Sequence, residues 1–163
     1  MKHFVFKYYS GIAILLCIGG ILLGIKYQRD LKWELVATFI VSVISSVFVV
    51  QKQRLEELRL FNELYAKFNS RYDALNKSLN EIWRGELEAG LKPGELDTLY
   101  NYFNLCGEEY FYYKQGYIYP EVWKAWRNGM KIFYQNERIK KAWAKELKND
   151  SYYGFQLSEL EKN

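Results

Sequence analysis

Histidine is almost missing from this 163-residue chain, the only one being His3. Without an imidazole further along there is no Ser/His/Asp or Cys/His set and no histidine-based zinc site. Cysteine is nearly as scarce. Cys17 sits in an apolar run and Cys106 far downstream, so no disulfide framework exists, as in a reducing compartment. Proline occurs only twice, at 93 and 120, and no glycine-rich phosphate loop is present. No segment alternates convincingly as a strand. These absences point to an all-α protein that is not an enzyme and implies no cofactor or metal.

Charge is also absent from two long stretches, Tyr8 to Ile25 and Leu35 to Gln51. At 1.5 Å per residue each comes close to covering the roughly 30 Å hydrocarbon core of a bilayer. Tyr8, Tyr9 and Tyr27 flank the first run and Trp33 precedes the second, where rings with a polar tip prefer the headgroup level. The residues from Lys26 to Glu34 are too few for a folded domain. The expected arrangement is a transmembrane hairpin over residues 1–51, spans about 8–25 and 35–51, followed by a cytosolic helical domain over 52–163. A cleaved export signal is disfavoured because no small-x-small pattern follows Ile25. Lys26, Arg29 and Lys32 in the connection face Lys2, Lys7, Lys52, Arg54 and Arg59 on the other side. That bias places both termini in the cytoplasm, with membrane lipid as one partner.

The spans carry their own pattern. Gly20 and Gly24 form a small-xxx-small pair that lets helix backbones approach. Thr38, Ser42, Ser45 and Ser46 put hydroxyls on one face of the second span. They either pack between helices or line a narrow aqueous path between several copies.

Beyond the spans the apolar period stays helical. Leu58, Phe61, Tyr65, Phe68, Tyr72, Leu75, Leu79 and Ile82 recur every three or four residues, a seam that continues the second span. Packing against the domain's own helices is favoured over an oligomeric stalk. Gly90, Pro93 and Gly94 interrupt the pattern, and a helix is expected from about Glu95 to Lys114. Pro120 opens the next, with Trp123, Trp126, Met130 and Phe133 as its core stripe. Asn136 caps a last helix that turns Ile139, Ala142, Trp143 and Leu147 inward. Tyr152 to Phe155 is aromatic enough to pack back.

After position 50 the chain carries 18 basic and 17 acidic side chains, which excludes a nonspecific nucleic-acid binder working by bulk charge. The distribution is uneven: Glu81 to Tyr119 sums to −4 and Pro120 to Lys148 to +5. Lys124, Arg127 and Lys131 share one helix face beside the aromatic stripe, and Arg138, Lys141, Lys145 and Lys148 repeat the arrangement. Such faces are either solvated or a phosphate site with rings nearby for bases to stack on. Arg127 and Lys131 are the first candidates for ligand binding, with Arg84, Lys92, Asn101 and Asn104 next. Asn101 and Asn104 are either core hydrogen-bonders or readers of a base edge. Cys106 reads as a core residue. Glu108 and Glu109 point about 100° apart on a helix, which argues against a paired-carboxylate site and leaves one of them to bond a buried Trp or Tyr.

Tyr-Asn-Tyr-Phe-Asn-Leu-Cys-Gly-Glu-Glu at 100–109, Gly-Tyr-Ile at 116–118, Val-Trp-Lys-Ala-Trp at 122–126 and Tyr-Tyr-Gly-Phe at 152–155 stand within Leu99 to Phe155. This stretch resembles a helical domain of small bacterial membrane proteins. With the two spans before it, the layout resembles the Csx-type two-helix membrane effectors of type III CRISPR defence. The resemblance implies an antiphage effector whose cytosolic domain binds a cyclic oligoadenylate messenger, cyclic tetra-adenylate first, and then perturbs or depolarises the membrane. A ring with four phosphates would suit a homotetramer. No binding residue is carried over from the family. The competing expectations are a two-helix toxin gated by a protein or nucleic-acid partner, and a passive membrane scaffold.

Overall fold

The computed structural model describes residues 2–26, 33–86, 90–147 and 151–161. It is all-helical, with no strand among the described residues. Six helices follow one another among the described residues: α1 (Lys2–Lys26), α2 (Trp33–Arg84), α3 (Pro93–Lys114), α4 (Pro120–Tyr134), α5 (Glu137–Glu146) and α6 (Ser158–Glu161). The connection 27–32, with Arg29 and Lys32 of the orientation argument, and Lys148 of the basic stripe lie outside the described residues. So do the side chains of Lys2, His3 and Lys7.

The chain divides into two units, Met1–Arg59 and Leu60–Asn163, later than the expected division after Gln51. In the first unit, α1 and α2 are both long and apolar enough to cross a membrane. Only 6% of each apolar window is buried, so these two stretches are not packed inside the fold. The two helices meet where α1 has no side chain. A Cβ on Gly20 would lie 3.1 Å from the Phe39 ring, and one on Gly24 3.1 Å from Val36 and 3.2 Å from Trp33. The pairings 20 with 39 and 24 with 36 run in opposite senses, so the helices are antiparallel. Thr38, Ser42 and Ser46 each donate to the carbonyl four residues back at 2.8 Å. Their protons are thereby satisfied inside one helix, which makes the hydroxyls compatible with an apolar surround.

In the second unit the later half of α2 and helices α3–α6 share one core. Phe68, Leu79 and Ile82 of the α2 seam are buried there, while Tyr65 stays 43% exposed. Leu58, at the other end of the seam, belongs to the first unit and is exposed. The seam therefore packs on the unit's own helices over most of its second half. Helix α3 is the central element: Leu99, Tyr102, Phe103, Leu105, Cys106, Glu109 and Tyr110 are all buried. It begins at Pro93 and contains Gly94, two residues earlier than expected, because proline is favoured in a first turn and the Lys92 N–H donates to Glu95 Oε2 at 2.8 Å.

Helix α4 begins at Pro120 as expected. Asn136 caps α5, its Oδ1 accepting from the N–H of Arg138 at 3.0 Å and of Ile139 at 3.3 Å. Its Nδ2 donates to the Trp83 carbonyl at 3.0 Å, so one side chain starts α5 and holds it to the end of α2. The tail packs back in part. Tyr152 and Phe155 are buried, whereas Tyr153 (φ 54°) and Gly154 (φ 77°) reverse the chain and leave Tyr153 exposed. Gly107 makes room for this: a Cβ there would stand 3.1 Å from that of Tyr152.

Candidate functional site

Of the basic residues on α4, Arg127 is set apart by burial. It is 8% exposed, and its Nε has no hydrogen-bond partner among the described residues. An unpaired buried guanidinium is costly, since water is removed from the charge without an acceptor to replace it. Arg127 is inside because Trp123, Met130 and Phe133 fix which face of α4 packs inward, and position 127 falls on the same face.

The side chain opens on a polar cleft of about 290 Å³ lined by Tyr113, Lys114, Pro120, Trp123, Lys124, Arg127 and Glu159. Three cations and one carboxylate thus converge. Glu159 accepts from the Tyr110 hydroxyl at 3.1 Å. Tyr113 and Trp123 stack with centroids 5.1 Å apart and planes 13° apart, which gives the cleft a rigid aromatic wall. The arrangement can accept an anion with a flat apolar portion: Arg127 offers fixed donors at the floor, and Lys114 and Lys124 add charge at the exposed edge.

The other candidates do not assemble here. Lys131 is half-buried on α4 but does not line the cleft. Arg84 ends α2, Lys92 precedes α3, and both are exposed away from it. Asn101 and Asn104 are exposed on α3, which corrects the reading of them as core hydrogen-bonders. The second basic stripe is corrected as well. Arg138 is 8% exposed and paired with Glu95 at 3.3 Å, so it is a structural residue and only Lys141 and Lys145 of the described stripe are solvated.

Cys106 is fully buried, as expected, and burial pushes its thiol well above the ordinary value. The adjacent carboxylates separate as their 100° offset requires. Glu108 takes a bidentate pair with Arg71, the longer arm at 3.1 Å, instead of a buried ring. Glu109 turns inward at 6% exposure, and desolvation raises its carboxyl from 4.5 to about 8. That one of the pair turns to the core is expected from the sequence, but which one does not follow from it. The signal was present in the Glu-Glu pair, one of which had to face the core once α3 was buried on most sides. Among the described residues no cluster of three His, Cys, Asp or Glu side chains forms a metal-binding group.

Comparison with protein-family models, curated proteins and solved structures finds no match to this chain.

Proposed function

We propose that this protein is a membrane-anchored effector whose helical unit binds a phosphate-bearing nucleotide messenger and passes the binding event to a transmembrane hairpin. The observation that carries the reading is Arg127, a buried guanidinium without a protein acceptor at Nε, on the wall of a cleft that also holds Lys114, Lys124 and a stacked Tyr–Trp pair. Phosphate oxygens would pair with the guanidinium where it lines the cleft, and the aromatic wall would hold a base. The exposed apolar surface of α1 and α2 supports the membrane half of the proposal.

The messenger proposed from the resemblance is a cyclic oligoadenylate, cyclic tetra-adenylate first, bound between four copies at a bacterial inner membrane with both termini cytoplasmic. The outcome of binding would be membrane perturbation in an antiphage response. The test is titration of full-length protein in detergent with cyclic tetra-adenylate. Saturable binding that weakens with salt, and that drops by roughly 10- to 100-fold in Arg127→Met, fits a lost charge-assisted contact of about 1–3 kcal/mol. Absence of binding, or equal affinity in Arg127→Met, overturns the assignment of this cleft.

A further inference from the structure

The second unit holds another cavity, on a different set of side chains and of opposite chemistry. It encloses about 190 Å³ among the later half of α2, α3 and α4, and Asn69, Tyr72, Tyr102, Glu109, Trp126 and Met130 line it together with Ala125 and Gly129. We propose that this cavity is a binding site for a small organic monocation, an ammonium with an apolar body of a few carbons. The inference is independent of the nucleotide reading and uses none of its residues.

The carboxyl group is the first part of the argument. Glu109 is 6% exposed, lines the cavity, and receives no hydrogen bond from a described residue. Buried carboxyls are ordinarily satisfied, so one left without a donor at a cavity wall marks where a donor would enter. Arg71, the cation whose charge acts on it, is already committed to Glu108 through both nitrogens. The remaining walls are aromatic. Trp126 is held by a stack on Tyr65 (5.9 Å, 16°) and an edge contact with Phe68 (5.8 Å, 89°), and Tyr72 lies 6.5 Å from Tyr102 between ring centres. Rings fixed in this way attract a cation through their faces and accommodate its carbons. An anion would meet the carboxyl, and a multivalent metal ion would find a single carboxylate where it needs several oxygens. Asn69 donates from Nδ2 to the Tyr65 carbonyl at 2.8 Å, which fixes its amide at the rim of the cavity.

Protonation follows from the surroundings. From α2, Arg71 and Tyr72 act on or are acted on by Glu109; from α3, Tyr102, Cys106 and Glu108 do; the α4 residues in the cavity are not titratable. With its carboxyl raised to about 8, Glu109 is neutral at pH 7 in the empty cavity. An ammonium pairs with the ionised form, so binding sends the carboxyl proton to the buffer while the ligand keeps its charge. Affinity therefore rises about tenfold per pH unit up to about pH 8 and levels above it.

The experiment is calorimetric titration of the full-length protein in detergent with n-butylammonium chloride, in two buffers of different ionisation heat, with sodium chloride as the ionic-strength control. The expected result is saturable binding with release of close to one proton at pH 7. Glu109→Gln, neutral and of the same shape, should lower affinity at least tenfold without loss of helicity. Gly129→Leu should block the site by filling it, and the fold should tolerate it because an added Cβ there meets nothing within 4 Å. No saturable binding, unchanged affinity in either folded variant, or equally tight binding of uncharged n-pentanol overturns the proposal.

Discussion

Arg138 and Glu95 meet between α5 and α3 with Nη2 3.3 Å from Oε2, and that same oxygen accepts the Lys92 N–H at 2.8 Å. One carboxylate oxygen therefore starts α3 and neutralises a guanidinium buried at 8% exposure. Arg138 in turn donates from Nη1 to the Ile82 carbonyl at 3.3 Å, a carbonyl near the end of α2 that also accepts from the Gly85 N–H at 3.2 Å. Three helix ends share this one ion pair.

Breaking the pair should cost far more than a surface salt bridge. Arg138→Ala is expected to destabilise the second unit by about 3 kcal/mol, and Glu95→Ala by a similar amount because it leaves a buried charge uncompensated. Arg138→Lys should restore little, since an ammonium cannot span Glu95 and the Ile82 carbonyl together. Denaturant midpoints followed by near-ultraviolet circular dichroism check this, and a loss below about 0.5 kcal/mol in both alanine variants would place the stability elsewhere.

Glu109 makes stability depend on pH in an unusual direction. Its carboxyl titrates at about 8 in the fold against 4.5 ordinarily, so between those values the unfolded chain gives up a proton that the native one keeps. The contribution is complete below about 4.5, falls as pH rises by at most about 1.4 kcal/mol per unit, and is gone above about 8. Glu109→Gln should remove this slope and be the more stable protein at pH 8. Urea unfolding of both proteins from pH 5 to 9 measures the difference.

Gly107 is the seat of the tail. A methyl group there would crowd both the Cβ of Tyr152 at 3.1 Å and its carbonyl oxygen at 3.3 Å, neither of which is the end of a flexible side chain. Gly107→Ala should lift the tail, costing about 1–3 kcal/mol as an overpacked core does. Limited proteolysis should then cut near Ser151 while leaving α3 to α5 intact, and resistance equal to the parent would show that the tail can shift without detaching.

In the first unit, Gly24→Leu should separate α1 from α2, because Val36 and Trp33 already occupy the space beside Gly24. Gly19→Leu is the matched control, its added Cβ meeting nothing within 4 Å. Spin labels at Ala13 and Val47 in a background without Cys17 and Cys106 should show a broadened distance in the first variant only.

The helix starts at Pro120 and Asn136 are legible in the sequence because each rests on a local rule, a proline in a first turn and a side chain that accepts its own helix's N–H groups. The burial of Arg138 is not legible. Its spacing from Lys141 and Lys145 matches a solvated stripe, and what draws it inward is a carboxylate 43 residues earlier. Asn101 and Asn104 mislead for the converse reason: α3 is buried on most of its circumference, and these two fall on the strip that remains exposed. Arg127 is a candidate on local charge alone, but its unsatisfied Nε and the approach of Glu159 from α6 depend on long-range packing.

Trp143 is fully buried, stacks on Phe103 at 4.6 Å and on Phe155 at 5.7 Å, and its indole N–H has no acceptor among the described residues. These two rings lie nearly parallel to it, at 12° and 22°, so their ring currents shield protons above their faces, and the usual deshielding by a hydrogen bond is missing. In a proton spectrum its indole resonance should stand upfield of those of the other four tryptophans. Because the site opens only when the core does, the protection of that single line against exchange with deuterated solvent should match the free energy of global unfolding. The core thereby carries its own gauge of stability, readable in the intact protein without a label.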